Sequence, residues 1–482
     1  MDSLKKQTVM SVVWSAIERF ASQGIQFIMN IILARILVPG DFGLIAMLSI
    51  FMSIAQTFVD SGFGSALIQK KDRTETDYST AFYFNFAVAL LVYGLLYLSA
   101  PYIADFYKNE QLTMIARAVG LSLIINSLGL VQMAKLTIAL NFKKLAVAST
   151  IAVTVSGLLG IWMAYNGYGV WSLVAQTLLN RSINILILWS ISHWRPLLVF
   201  SKESFRTLFA FGSKLLLSSL LHETFTNLYT LVIGKKFTAG ELGLFSQSST
   251  LAIFPSNNIS AVIVRAIYPI QCKMQDDNEQ LKYFFRKYLR LSCYIIFPIT
   301  VGLCALAEPL VRVVLTDKWI PAIPFLQILC IAYMWNPVMM MNSSLLNVKG
   351  RSDLFLRAEI IKKITAIIIL VISIPFGIKV MCIGLVLYSF ADMGIIIAYT
   401  KKLMGIDFSL QIKALLPVTL LSASMGVCAW GTTLLFADQR LKLIFGVLAG
   451  VVYFLVASKI SKIEEFDFIL SLVKKKKGLS EV

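Results

Sequence analysis

Long apolar stretches recur along the whole of this chain, and they decide what it can fold into. Ile25 to Leu33, Leu44 to Ile54, Ile367 to Phe376 and Ile444 to Ala457 are four of the blocks from which they are built. A run of about 18–25 mostly apolar residues crosses a bilayer core of roughly 30 Å. In lipid every backbone N–H and C=O needs a partner inside its own segment, so such runs are helices. Breaking the chain at Pro, Gly and charge clusters gives about fourteen spans: 10–34, 41–61, 80–104, 112–134, 144–165, 169–192, 208–234, 242–269, 284–306, 321–346, 356–375, 380–400, 412–434 and 440–459. The connectors are short, and none could hold a soluble domain. No small-residue cleavage site follows the first apolar run, so the first helix is expected to stay in the protein.

Only 15% of the 482 residues are charged, against roughly a quarter in an average soluble protein. The balance is nevertheless basic, at +18. Membrane proteins collect Lys and Arg in their cytoplasmic loops. With the N-terminus placed inside, inner segments hold about 28 Lys and Arg and outer segments about 9, as that rule requires. The asymmetry supports fourteen helices with both termini cytoplasmic, and it accounts for the charge without nucleic acid. Trp162, Tyr165, Tyr168 and Trp171 flank one outer turn, where an interfacial aromatic belt belongs.

The chain also repeats itself. LARILVPGDFGLIA, Leu33 to Ala46, returns as IGKKFTAGELGLFS, Ile233 to Ser246. Arg35 matches Lys235, Gly40 matches Gly240, Asp41 matches Glu241, Gly43 matches Gly243 and Leu44 matches Leu244, each at an offset of two hundred. Such a hinge reads as an outer hairpin, its cation ending one helix and its acid starting the next. Polar residues repeat at the same offset. Arg19, Ser22, Gln26 and Asn30 step by three or four along one face of the first span, and Ser219, His222, Thr226 and Thr230 do so in the seventh. Ser49, Gln56, Thr57 and Asp60 are echoed by Ser249, Ser256, Asn257 and Ser260.

The expected architecture is therefore an all-α polytopic membrane protein: two six-helix lobes related by a parallel internal repeat, plus two C-terminal helices. The lobes cover 1–195 and 196–405, helices 13 and 14 cover 406–460, and a basic cytoplasmic tail covers 461–482. That tail reads as a solvated segment drawn to anionic lipid by Lys474 to Lys477. Duplicated halves with polar faces suggest a central water-filled cavity, opened to each side in turn by rocking of the lobes.

Seven cations belong to neither loop set: Arg19, Arg117, Arg181, Lys214, Arg265, Lys362 and Lys363. Ionisable groups inside a membrane are costly and face a cavity or a partner. Arg19, Arg181 and Arg265 lie well within their spans, and with Lys214 they form the candidate anion site. Lys214 and Lys362 lie near inner ends, from which a lysine can also snorkel. Arg117 belongs near the outer interface. Lys362 and Lys363 follow Glu359 at i+3 and i+4, which suits local pairing. Ser22, Gln26, Asn30, Gln56, His222, Thr226, Asn227 and Tyr229 are the candidate cavity-lining residues. Glu18, Asp60, Glu223 and Asp392, the last a lone acid in span twelve, are candidates for a coupling proton or sodium ion. Ser, Thr, Asn and Gln on such faces also serve simply to join helices.

Other chemistries find no support. No GxxxxGK[ST] loop for ATP occurs, no CxxC pair, and no HExxH or GxSxG motif. The tripeptides beginning at Asn180 and Asn342 match a glycosylation pattern but fall inside spans. A membrane polymerase would display acids or arginines in a sizeable outer loop, and the outer loops here are short.

Several stretches carry a resemblance: ILARILVPGDFGLIAM, DSGFGSALIQKKD, FGSKLLLSSL, NLYTLVIGKKFTAGELGLFSQS, YPIQCKMQDD, FPITVGLCALAEPLVRVVLTDKW, and NVKGRSDL followed by EIIKK. In this order and spacing the chain resembles the polysaccharide transporter branch of the multidrug/oligosaccharidyl-lipid/polysaccharide flippase superfamily, the Wzx-type flippases and their teichuronic-acid and colanic-acid relatives. The resemblance runs from about residue 5 to 460. It implies a flippase that moves a polyprenyl-diphosphate-linked repeat unit across the bacterial cytoplasmic (inner) membrane by alternating access, for O-antigen, capsule or exopolysaccharide. It implies no cofactor beyond a coupling ion, and as partners the lipid-linked oligosaccharide, membrane lipids, and the polysaccharide polymerase and chain-length machinery. A diphosphate needs several cations to offset its lost hydration, and guanidinium groups suit its oxygens. Relatives that flip peptidoglycan precursor carry several arginines in the first two spans. Here the second span has none, so the site residues rest on position and charge. A cation-coupled multidrug exporter of the same superfamily is the alternative.

Overall fold

The computed structural model describes residues 22–478, with side chains to residue 471. Every regular element among them is a helix. Among the described residues, nine helical segments are long and apolar enough to cross a membrane, or ten if the bent pair Gln111–Ser127 and Leu130–Ile138, 42° apart, is one span. The described residues form two compact units that divide between Ser246 and Gln247.

The described part of the first unit opens on helix α1 (22–36). It continues with α2 (Pro39–Asp60), α3 (Phe63–Gln69), α4 (Glu75–Tyr107), α5 (Gln111–Ser127), α6 (Leu130–Ile138), α7 (Phe142–Tyr165), α8 (Val170–Ser192), α9 (Lys202–Thr226) and α10 (Leu228–Lys236). α2 is its central helix, packing on α4, α5, α8, α9 and α10. The turn from α2 to α3 meets α9 backbone to backbone. A Cβ built on Gly62 would lie 2.7 Å from Gly212 Cα, so neither position has room for a side chain. α4 is 33 residues long, about 50 Å at 1.5 Å per residue, and overhangs a bilayer core of roughly 30 Å. Thr74 and Asp77 cap its start reciprocally, and Lys70 pairs with Asp77 at 2.7 Å. Phe63, Leu67, Tyr78, Phe82, Trp194 and Leu208 form a core at this end. It is fastened by Glu75, which accepts from Lys135 at 2.8 Å and from Trp194 Nε1 at 2.6 Å. Trp162, Tyr165, Tyr168 and Trp171 are all exposed around the α7–α8 turn. Arg117 sits 4.2 Å from the Tyr97 ring centroid, which gives that cation an aromatic partner on α4.

The two hinges fold alike. Asp41 accepts from the Val38 N–H at 3.2 Å, and Glu241 accepts from the Thr238 N–H at 3.0 Å. Each acid thus caps the helix it opens, α2 and α11 (Ala239–Lys273) respectively.

The second unit contains most of α11, then α12 (Asn278–Ala305), the short α13 (Ala307–Leu310), α14 (Ile323–Tyr333), α15 (Asn336–Val348), α16 (Ser352–Ser373), α17 (Ile378–Met404), α18 (Phe408–Thr433), α19 (Gln439–Ile460) and α20 (Glu464–Gly478). One core of residues such as Phe285, Leu289, Phe297, Met341, Ile396 and Val418 joins α12, α15, α17 and α18. A polar knot lies within it. Thr400 and Gln411 donate to Asn342 Oδ1 at 2.9 and 3.0 Å, and the Asn342 side chain is fully buried. That burial rules out glycosylation at Asn342. The start of the tail packs on the core, and the side chains of Lys474 to Lys477 lie outside the described residues. α20 starts beside a buried Ile463 and packs Phe466 and Ile469 on the core, because the stretch between its charges is itself amphipathic.

Candidate substrate site

The polar face of α2 is the best-developed candidate. Gln56 and Asp60 stand one turn apart, and Gln56 Nε2 donates to Asp60 Oδ1 at 2.7 Å. Asn126 at the end of α5 donates to Gln56 Oε1 at 2.8 Å. The Arg181 guanidinium on α8 acts electrostatically on the Asp60 carboxylate without a direct ion pair. The residue before it, Asn180, donates to Ser156 Oγ on α7 at 3.3 Å. Both Asp60 and Arg181 are exposed on this face. A candidate anion ligand and a candidate coupling acid, on different helices, therefore share one electrostatic neighbourhood.

A second polar group lies where α9 ends. Asn227 terminates that helix, accepts from Ser49 Oγ of α2 at 3.2 Å, and donates to the Glu223 carbonyl oxygen at 3.0 Å and to Glu223 Oε2 at 3.4 Å. Thr226 turns its hydroxyl onto the His222 carbonyl oxygen at 2.9 Å, a bond within its own helix. His222 and Lys214 are exposed, and neither makes an ion pair among the described residues. Tyr229 is half-buried. On α1, Ser22 and Asn30 are half-buried and Gln26 is exposed. Arg19 and Glu18 lie outside the described residues.

In the second unit Arg265 is exposed on α11. The echoed stripe there is largely spent on packing. Ser256 donates to the Tyr333 carbonyl oxygen at 2.7 Å, and Ser249 pairs with the Tyr333 hydroxyl at 3.1 Å. Asn257, exposed, accepts from Asn336 at 2.8 Å. Asp392, the lone acid of its span, has a cationic partner. Lys362 of α16 reaches it at 2.9 Å and reaches Glu359 at the same distance, and the Lys362 side chain is only 6% exposed. The partner sits on a neighbouring helix, which spacing along α17 alone cannot reveal. Asn126, Ser156 and Asn336 were not singled out from sequence. Their one signal is an amide or hydroxyl inside an otherwise apolar run.

Residues 32–324 match a family model described as polysaccharide biosynthesis protein. The chain belongs to that family. Within the polysaccharide biosynthesis protein match lie both hinges, the Gln56–Asp60–Arg181 neighbourhood, Lys214, the Asn227 group and Arg265. Ser22, Gln26, Asn30 and Asp392 fall beyond it. The chain is similar to the teichuronic acid biosynthesis protein TuaB of Bacillus subtilis (strain 168), 27% identical over 94% of this chain and 96% of that one. It is also 27% identical to the lipopolysaccharide biosynthesis protein WzxC of Escherichia coli (strain K12), over 75% and 74% of the two chains. Among solved structures it resembles the lipid II flippase MurJ in an inward closed conformation. The TM-score is 0.76 over 93% of this chain and 98% of that one, at 15% identity, a likeness of fold.

Proposed function

We infer that this protein is a flippase for a polyprenyl-diphosphate-linked oligosaccharide, moving the repeat unit across a bacterial inner membrane for surface polysaccharide biosynthesis. The family, the names of its relatives and the flippase-like fold support this reading. The observation that carries it to particular residues is the set of cations on otherwise apolar helices. Arg181, Lys214 and Arg265 are exposed on α8, α9 and α11, and none makes a direct ion pair among the described residues. A cation left so in a membrane protein stands ready for an anion that comes and goes. The diphosphate is that anion. Gln56, Asn227, Tyr229 and the α1 residues Gln26 and Asn30 offer amides, a phenol and aromatic surface to the sugars. The lipid tail stays in the bilayer.

Transport proceeds by alternating access, with fourteen spans, two repeated six-helix lobes at 1–195 and 196–405, two added helices at 406–460, and both termini cytoplasmic. The matching caps of the two hinges, each an acid accepting from the backbone N–H three residues before it, support the repeat. A proton or sodium ion drives the cycle, with Asp60 the best-placed acid because Arg181 already senses its charge. Polymerase and chain-length proteins take the product onward.

Single Arg181→Ala, Lys214→Ala and Arg265→Ala variants, expressed in cells lacking the native protein, test the site. Surface polysaccharide should fall sharply while membrane levels of the protein stay normal. If all three export as the native protein does, these cations do not hold the cargo.

A further inference from the structure

α12 has 28 residues, about 42 Å of helix, and so exceeds a bilayer core of roughly 30 Å. Its C-terminal half is apolar. Its N-terminal part reads KYFFRKYLR, Lys282 to Arg290, and belongs at the level of lipid headgroups. Phe285 and Leu289 on this stretch are buried in the core, while Tyr283 and Arg286 are exposed on the other side.

α20 docks beside this basic end. Arg290 pairs with Glu465 at 2.8 Å and approaches Glu464 at 3.7 Å, and Glu465 is only 5% exposed. Lys287 Nζ stands 4.5 Å from the centre of the Phe468 ring. A cavity of about 310 Å³ lies between the helices, lined by Tyr283, Arg286, Lys287 and Arg290 of α12 and by Glu464 and Phe468 of α20, among others. Its volume is at the small end of the about 300–1,000 Å³ typical of small-ligand sites.

The charges around it are not balanced. Arg290 is answered by its two acids. Among the described residues Arg286 makes no ion pair and Lys287 meets an aromatic ring but no acid. Two adjacent cations thus face a small hollow with an aromatic wall, next to the exposed Tyr283. Free phosphate in water has no need of such a wall. A headgroup entering from the leaflet does, because its glycerol and acyl carbons must lie against something apolar.

We propose that the cavity between the basic end of α12 and the start of α20 binds the phosphate of an anionic membrane lipid, with Arg286 and Lys287 as its ligands. Arg290 is the positioning residue: its pair with Glu465 holds α20 in place as the far wall. A bound lipid then links α20, which follows the last long helix, to the leaflet surface. This site is separate from the polar faces assigned to the oligosaccharide, and it stands whether or not that assignment does.

Native mass spectrometry of the full-length protein in mild detergent tests it, titrating phosphatidylglycerol against phosphatidylcholine. The native protein should retain phosphatidylglycerol preferentially. The double variant Arg286→Gln/Lys287→Gln should weaken that binding by about tenfold or more, the effect of losing charge-assisted hydrogen bonds. A control, Lys401→Gln/Lys402→Gln at the end of α17, removes the same charge elsewhere and should leave it unchanged. A melting curve for each variant verifies that the fold is intact. Equal retention of the two lipids, or equal losses in the two variants, overturns the proposal. So does displacement of the lipid by millimolar inorganic phosphate, which would make this a site for the free anion.

Discussion

Lys362 shows how much a single residue can settle inside a membrane. Its ammonium lies 2.9 Å from both Glu359 and Asp392, and almost none of it is exposed. Removing one member of a buried charge group leaves the others uncompensated, at a cost of roughly 3–5 kcal/mol, whereas removing the whole group can be nearly neutral. Lys362→Met should therefore lower the melting temperature of the purified protein by several degrees. Lys362→Met/Asp392→Asn should recover part of the loss, the signature of a coupled pair in a double-mutant cycle. A Lys362→Met variant as stable as the native protein would mean that the cluster has no structural role. The ammonium also fills the place that a coupling cation would take beside Asp392, so Asp60 is the better coupling candidate. Sequence alone displayed one half of this cluster. Glu359 and Lys362 are three apart on one helix, where spacing predicts contact, but the Asp392 contact is tertiary. The same limit applies to Arg181 and Asp60, each visible as a misplaced charge, with no signal that they act on one another.

At the level of elements the two hinges are the most informative pair. A Cβ built on Gly43 would lie 1.7 Å from the Ala239 carbonyl oxygen, and one built on Gly243 would lie 1.8 Å from that of Pro39. Ala239 corresponds to Pro39, and Gly243 to Gly43, so the contact is reciprocal in the manner of a two-fold axis. A Cβ on Gly40 would meet nothing within 4 Å, and one on Gly240 only the Thr238 hydroxyl at 3.9 Å. The four glycines look alike in sequence and should behave as two classes. Gly40→Ala and Gly240→Ala should keep export within about a factor of two, as ordinary surface changes do. Gly43→Ala and Gly243→Ala cannot be accommodated without parting the hinges, which shifts the population away from the state seen here. Export measured at equal protein levels should drop for these two alone; equal tolerance at all four positions would remove the hinges from the transport cycle. The capping acids and the helical runs were legible in the sequence, because local spacing dictates them. The breaks were not. Span seven divides at Asn227, and the fourth bends between Ser127 and Leu130, where side chains from other helices engage the ends: Ser49 on Asn227 and the Trp189 indole on the Leu128 carbonyl oxygen.

Over the whole molecule, composition and charge weigh differently on which helices cross. Nine or ten described segments are apolar enough on their own. α8, α9 and α16 are not among them, and these helices carry Arg181, Lys214 and the Glu359–Lys362–Lys363 cluster. Each central charge costs about 2.5–3.5 kcal/mol on insertion scales, so composition discounts the very helices that a transporter of anions needs. The charge rule argues that they cross. If α16 lay on the surface, α17, α18 and α19 would be inverted, and the Lys401, Lys402 and Lys413 cluster would face outward, against the bias of every earlier inner segment. If α16 crosses, the loop at Gly377 lies outside and the loop at Asp407 inside. Single cysteines at these two positions, in a background lacking the six native thiols, distinguish the cases. A membrane-impermeant maleimide added to whole cells should label position 377 and spare 407 until the membrane is opened. The opposite pattern would place an odd number of crossings before α17 in error, and with it the six-helix second lobe.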